Sequence, residues 1–125
     1  ETLDKYQIGF IYDVAAYLET LEKVKKLEAR MFIPAHAETA EDISGLAQYN
    51  IDKVHEIAER IMEICSGPKC FEDILQKLFT DYGLVMNFEQ YVLVGSTVRS
   101  YLSWLRDSGR MDVEFADSRL LWKAI

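Results

Sequence analysis

Over residues 43–64 the chain places Ile43, Leu46, Ala47, Ile51, Val54, Ile57, Ala58, Ile61 and Ile64 at a spacing that gathers them on one face of an α-helix. Ser66-Gly67-Pro68 ends the pattern, and Thr39 with Asp42 three residues later resembles the capping pair that would start it. The spacing predicts a helix over residues 39–65. At about 1.5 Å per residue it is long enough to bridge two domains, so what lies on either side decides the architecture.

On the N-terminal side, residues 8–12 form a short apolar run rich in β-formers, and Asp13 is a good N-cap. A helix should follow, with Val14, Tyr17, Leu18, Leu21 and Val24 on one face and Lys23, Lys25 and Lys26 near its C-terminal end. Met31-Phe32-Ile33, closed by Pro34, reads as a second short strand. Strand, helix and strand make a βαβ-like unit that needs neighbouring strands and a second layer to bury its faces. Residues 1–38 therefore read as the closing edge of an α/β domain whose body lies upstream, and a start at Glu1 rather than Met agrees with a chain cut from a longer one.

On the C-terminal side a helix is expected over residues 71–82, burying Ile74, Leu75, Leu78, Phe79 and Tyr82, with Gly83 as its stop. Asn87 with Gln90 opens another, carrying Tyr91, Val94, Val98, Tyr101, Leu102 and Leu105 as far as Gly109, with Gly95 as a weak point. Met111, Val113 and Phe115 then alternate with Asp112 and Glu114, Ala116-Asp117-Ser118 can turn, and residues 119–125 can return as a second strand containing Trp122. Three helices and a terminal hairpin in this order are the layout of a winged helix-turn-helix. The expected fold is mainly α with a small β part (α+β): a βαβ remnant (1–38), a linking helix (39–65), and a winged-helix domain with a hairpin wing (66–125) that shares the linking helix as its first.

Charge restricts the partners. The net charge is −7, with 7 basic and 13 acidic side chains in residues 1–65 against 7 and 8 in residues 66–125. In the candidate recognition helix Arg99 and Arg106 face Glu89 and Asp107, and the hairpin sets Arg110, Arg119 and Lys123 against Asp112, Glu114 and Asp117. A helix that reads DNA needs an excess of basic residues, so this balance argues against DNA as a partner. No apolar run approaches the ~18 residues of a membrane span, which points to a soluble, cytoplasmic protein. Cys65 and Cys70 flank a turn at a spacing that fits no zinc motif and read as buried or half-buried thiols. Trp104 lies off the main apolar stripe of its helix and is the candidate contact residue for a protein partner.

Only His36 and His55 could bring an imidazole to a site, which leaves a Ser/His/Asp triad or a self-contained histidine cluster without support and no catalytic residue to assign. His55 sits among Lys53, Glu56 and Glu59 and reads as a surface histidine. His36 follows the second predicted strand and Pro34 in a short loop, where α/β enzymes commonly present ligands. The stretch over residues 8–38, with Ile11-Tyr12-Asp13, the helix through Leu18 and Leu21, and Phe32-Ile33-Pro34-Ala35-His36-Ala37, resembles the end of a metallo-β-lactamase-fold hydrolase. In that family a late strand leads into a Pro-Gly-His-Gly loop whose histidine binds metal, and one branch adds a C-terminal winged helix; here Ala35 and Ala37 stand where the glycines are typical.

The resemblance implies that His36 is the last ligand of one or two zinc ions in an intact hydrolase, whose main His-x-His-x-Asp-His motif lies upstream. It also implies that this chain alone holds no metal firmly and is inactive, and that its partner is its own upstream catalytic domain. A second copy of the chain is the other partner this reading admits.

Overall fold

The structure, a computed structural model, describes residues 11–30 and 37–125, with side chains outside 27–44. Four helices precede a two-stranded antiparallel sheet: α1 Val14–Arg30, α2 Ala37–Ile64, α3 Phe71–Asp81, α4 Phe88–Asp107, β1 Met111–Ala116 and β2 Arg119–Ala124. The predicted helices and hairpin are all present, most within a residue or two at their ends, while α1 runs four residues past the expected close at Lys26, to Arg30.

Local chemistry explains where the helices start and stop. The Asp13 carboxylate accepts the Ala16 N–H at 3.0 Å, and Asn87 accepts the Gln90 N–H at 2.8 Å. Each satisfies a backbone donor of the first turn, a contribution of about 1 kcal/mol. α3 and α4 end alike. Gly83 (φ 65°) and Gly109 (φ 77°) take the left-handed conformation, and the next residues, Leu84 and Arg110, donate back to the Phe79 and Leu105 carbonyls at 2.9 Å. The Schellman geometry this creates favours glycine because a Cβ there is strained.

One core joins most of these elements. It takes Ile11 and Val14 from the start of the described chain, Val54, Ile57, Ala58, Ile61 and Ile64 from α2, the apolar faces of α3 and α4, and Met111 from β1. A smaller second cluster, Leu21 with Ala47 and Ile51, joins α1 to the first half of α2. Leu46, expected on the buried stripe, is 48% exposed. Among the described residues α1 is the element that packs on that half of α2, and the flank carrying Leu46 is exposed.

The hairpin pairs Met111 with Ala124, Val113 with Trp122 and Phe115 with Leu120. Its turn residues Asp117 (φ 53°) and Ser118 (φ 62°) supply the two positive angles that a tight two-residue connection requires. The outer edge of β2 is closed by Lys69, which exchanges backbone hydrogen bonds with Trp122 at 3.0 and 2.8 Å, while the Cys65 carbonyl accepts from Ala124 at 2.8 Å. Only the base of the hairpin reaches the core: Met111 is buried, whereas Phe115, on the same face of the strand, is 73% exposed.

Two sequence expectations meet a limit here. Ile11 and Tyr12, read as the end of a strand, belong to none; the Ile11 N–H goes instead to a side chain of α4. The second predicted strand, Met31-Phe32-Ile33, and the loop that carries His36 lie outside the described residues.

Candidate functional site

The surface with the most unusual chemistry is the outer side of α4 and the chain segment that crosses it. α4 buries Val94, Thr97, Val98, Tyr101, Leu102 and Leu105. Besides the Tyr101 phenol and the Cys65 thiol, Thr97 carries the one polar side chain buried among the described residues. Its hydroxyl accepts the Ile11 N–H at 2.9 Å and donates to the Leu93 carbonyl at 3.2 Å, so a buried polar group is satisfied by pinning a segment 86 positions away. One turn on, the Ser100 hydroxyl donates to the Tyr12 carbonyl at 2.5 Å. The backbone of residues 11–12 is therefore fastened to α4 at two successive turns.

Beside this contact lies an open groove of about 480 Å³ whose lining includes Tyr12, Asp13, Ser96, Arg99, Ser103 and Trp104. Trp104 is half-buried, with the Arg110 guanidinium 4.8 Å from its ring centre and the exposed His55 ring 6.1 Å away, tilted by 55°. Arg99 lies over the Phe71 ring at 3.8 Å, so part of its charge is engaged by an aromatic face. Toward the start of α4 the surface turns apolar: Val85 is 73% and Phe88 83% exposed, and Val92 and Leu93 are exposed beside them.

Electrostatics around the groove are balanced rather than basic, and the acid–base groups have structural partners. The Tyr82 hydroxyl donates to Glu56 at 3.1 Å, and burial followed by that bond pushes its pKa up. Cys65 is a free, buried thiol pushed up to about 11 by desolvation against the opposing charge of Lys69, which keeps it protonated and unreactive at neutral pH. Cys70 is free and half-buried. Among the described residues no group of three or more His, Cys, Asp or Glu side chains is placed to hold a metal ion.

Of the sequence-predicted site residues, Trp104 is on the groove and His36 lies outside the described residues, directly before the first residue of α2. The docking pair Thr97 and Ser100 was not singled out from the sequence. A threonine inside the stripe Val94, Val98, Tyr101 was the available signal, because a buried hydroxyl there must find a partner.

No family model, curated protein or solved structure matches this chain. No helix among the described residues is long and apolar enough to cross a membrane.

Proposed function

We propose that the chain is the C-terminal part of a metal-dependent hydrolase of the metallo-β-lactamase fold, with His36 as a late zinc ligand and the helices and hairpin as an accessory winged-helix module. The observation that carries the module half of this reading is the pinning of residues 11–12 on α4 by Thr97 and Ser100. A polypeptide arriving from an upstream body is thereby fastened to the module before α1 begins, and Ile11 and Val14 are sunk in the module's own core. The metal half rests on the resemblance of the loop around His36. In the sequence that residue directly precedes Ala37, the first residue of α2, the helix that leads into the same core.

One imidazole does not make a catalytic zinc site, which takes about three protein ligands, so the remaining ligands belong to upstream residues. A zinc ion held by such a set lowers the pKa of a bound water and polarises the substrate oxygen. In this reading the chain's work is positional: His36 directly precedes, in sequence, a long helix whose far half is locked in a packed core.

Protein docking is favoured over DNA binding as the module's further role. Val85, Phe88, Val92 and Leu93 give α4 an apolar approach, Trp104 offers a half-buried aromatic on the groove, and the exposed charges of α4 nearly cancel.

The test is metal content and chelator-sensitive hydrolysis of the longer protein beside its His36→Ala variant. Zinc affinity or activity should fall by more than the roughly 10–100-fold that follows loss of a group merely supporting a ligand, and this chain alone should be inert. Unchanged zinc content and activity in His36→Ala would discard the hydrolase reading and leave the docking module.

A further inference from the structure

The residues of α4 that stay exposed follow a regular spacing. Glu89, Val92, Ser96, Arg99, Ser103 and Arg106 are all exposed and stand alternately three and four positions apart. This is the 3.5-residue period that lets one helix lie along another at a shallow crossing angle. The chain's own core takes a different face of α4, through Val94, Val98, Tyr101, Leu102 and Leu105.

The two ends of the stripe have opposite shapes. At its start Phe88 is 83% exposed, with Val85, Val92 and Leu93 exposed around it. Farther along lies the open groove of about 480 Å³, lined from α4 by Ser96, Ser103, Trp104 and Asp107 and from the start of α1 by Val14 and Ala15. The serines are small and leave room above the helix. At about 1.5 Å per residue, Phe88 and Ser103 lie roughly 22 Å apart along the axis, so the projecting ring and the groove cannot meet within one molecule. They meet when the helix is laid antiparallel on a copy of itself.

We propose that α4 is a self-association face, packed antiparallel on α4 of a second copy so that Phe88 of each enters the groove of the other. A two-fold axis level with Thr97 and Val98 pairs Glu89 with Arg106, Val92 with Ser103 and Ser96 with Arg99, each pair occurring twice. Charge selects this arrangement. Side by side in parallel, the two helices would set Glu89 on Glu89, Arg99 on Arg99 and Arg106 on Arg106, and like charges so placed repel. In the antiparallel register Arg99, already drawn over the Phe71 ring, faces a serine, and Glu89 faces a cation. Asp107 beside Arg106 tempers that attraction, so the apolar end supplies most of the affinity and the charges fix the direction. One helix per copy makes a small interface, and association is expected in the micromolar range. The proposal rests on the docking reading of α4 and is independent of the hydrolase reading.

Sedimentation equilibrium of the intact 125-residue chain, from about 5 to 500 µM, tests this and should show a reversible monomer–dimer equilibrium. Phe88→Ser should weaken it about tenfold or more, by removing the aromatic anchor. Glu89→Arg and Arg106→Glu each place like charges at both ends of the interface and should each weaken it by about tenfold. An equimolar mixture of these two variants should associate again, because in this register each supplies the charges the other needs. All three positions are exposed, so the thermal midpoint of the monomer should change little. A chain that stays monomeric throughout overturns the proposal and leaves the face to a different protein. A dimer indifferent to both charge variants, or a mixture that does not recover, overturns it as well. None of these results alters what His36→Ala reports, so failure here and failure of the hydrolase reading are told apart.

Discussion

The two halves of α2 share one helix and one hydrophobic spacing, yet they live in different surroundings. In the C-terminal half Val54, Ile57, Ala58 and Ile61 are at most 2% exposed, enclosed by α3, α4 and the hairpin base. In the N-terminal half Ala47 and Ile51 meet, among the described residues, α1 alone, and Leu46 beside them is 48% exposed. A stripe of apolar residues thus states which face of a helix is buried, but the depth of burial depends on how many other elements arrive at that face. α2 has a deep end built into the module and a shallow end held by one neighbouring helix.

Matched truncations at the two ends should break this symmetry most clearly. Ile61→Ala removes a fully buried side chain from the main core and is expected to lower global stability by about 4 kcal/mol, read as a shift in the urea midpoint. Ile51→Ala, in the smaller cluster that joins α2 to α1, should cost about 2 kcal/mol. Amide hydrogen exchange should then quicken mainly in α1 and the first half of α2, leaving α3, α4 and the hairpin protected. Equal losses for the two substitutions, with exchange rising uniformly, would mean that the two ends are energetically one unit.

The smallest expected effect sharpens the comparison from the surface. Arg60, in the deep half of α2, donates from Nε and a terminal nitrogen to Asp81 at the end of α3, at 2.8 and 2.5 Å, and Lys77 approaches the same carboxylate at 3.4 Å. Desolvation pushes the Asp81 carboxyl up, but the bonds from Arg60 and Lys77 and their charges outweigh it and hold the pKa below its usual value. A carboxyl with a lowered folded-state pKa contributes stability that is present above its unfolded value of about 3.9 and disappears as pH falls through the folded one. Stability of the native sequence should therefore drop more steeply than that of Asp81→Asn below about pH 4, and parallel profiles would show that this tie contributes nothing.

Local features were legible in the sequence. The caps at Asp13 and Asn87, the stops at Gly83 and Gly109, and the turn at Asp117-Ser118 each depend on a residue's own backbone preference and its near neighbours. The shallow burial of Leu46 and the exposure of Phe115 were not legible, because spacing records a face and not what covers it. Least accessible were the bonds from residues 11–12 to Thr97 and Ser100, which join positions 86 and 88 apart. For the candidate site the sequence placed Trp104 on a partly open surface, as found, and offered His36 through family resemblance. It did not indicate that a segment of the chain would lie across α4, or that Tyr101 would lack a side-chain partner.

The exchange of backbone bonds between Lys69 and Trp122 also bears on the order in which the chain can mature during synthesis. Lys69 leaves the ribosome well before the strand that pairs with it. At about 5–20 residues per second, several seconds pass in which α3, α4 and β1 are made while the end of α2 waits for the closing strand. Helix–helix contacts of short range can form in that interval, but the last strand must arrive before the end of α2 gains its lateral seal. Slowing or halting translation within β2 should therefore leave a helical intermediate with open backbone at residues 65–69, a stage at which chaperone capture would be strongest.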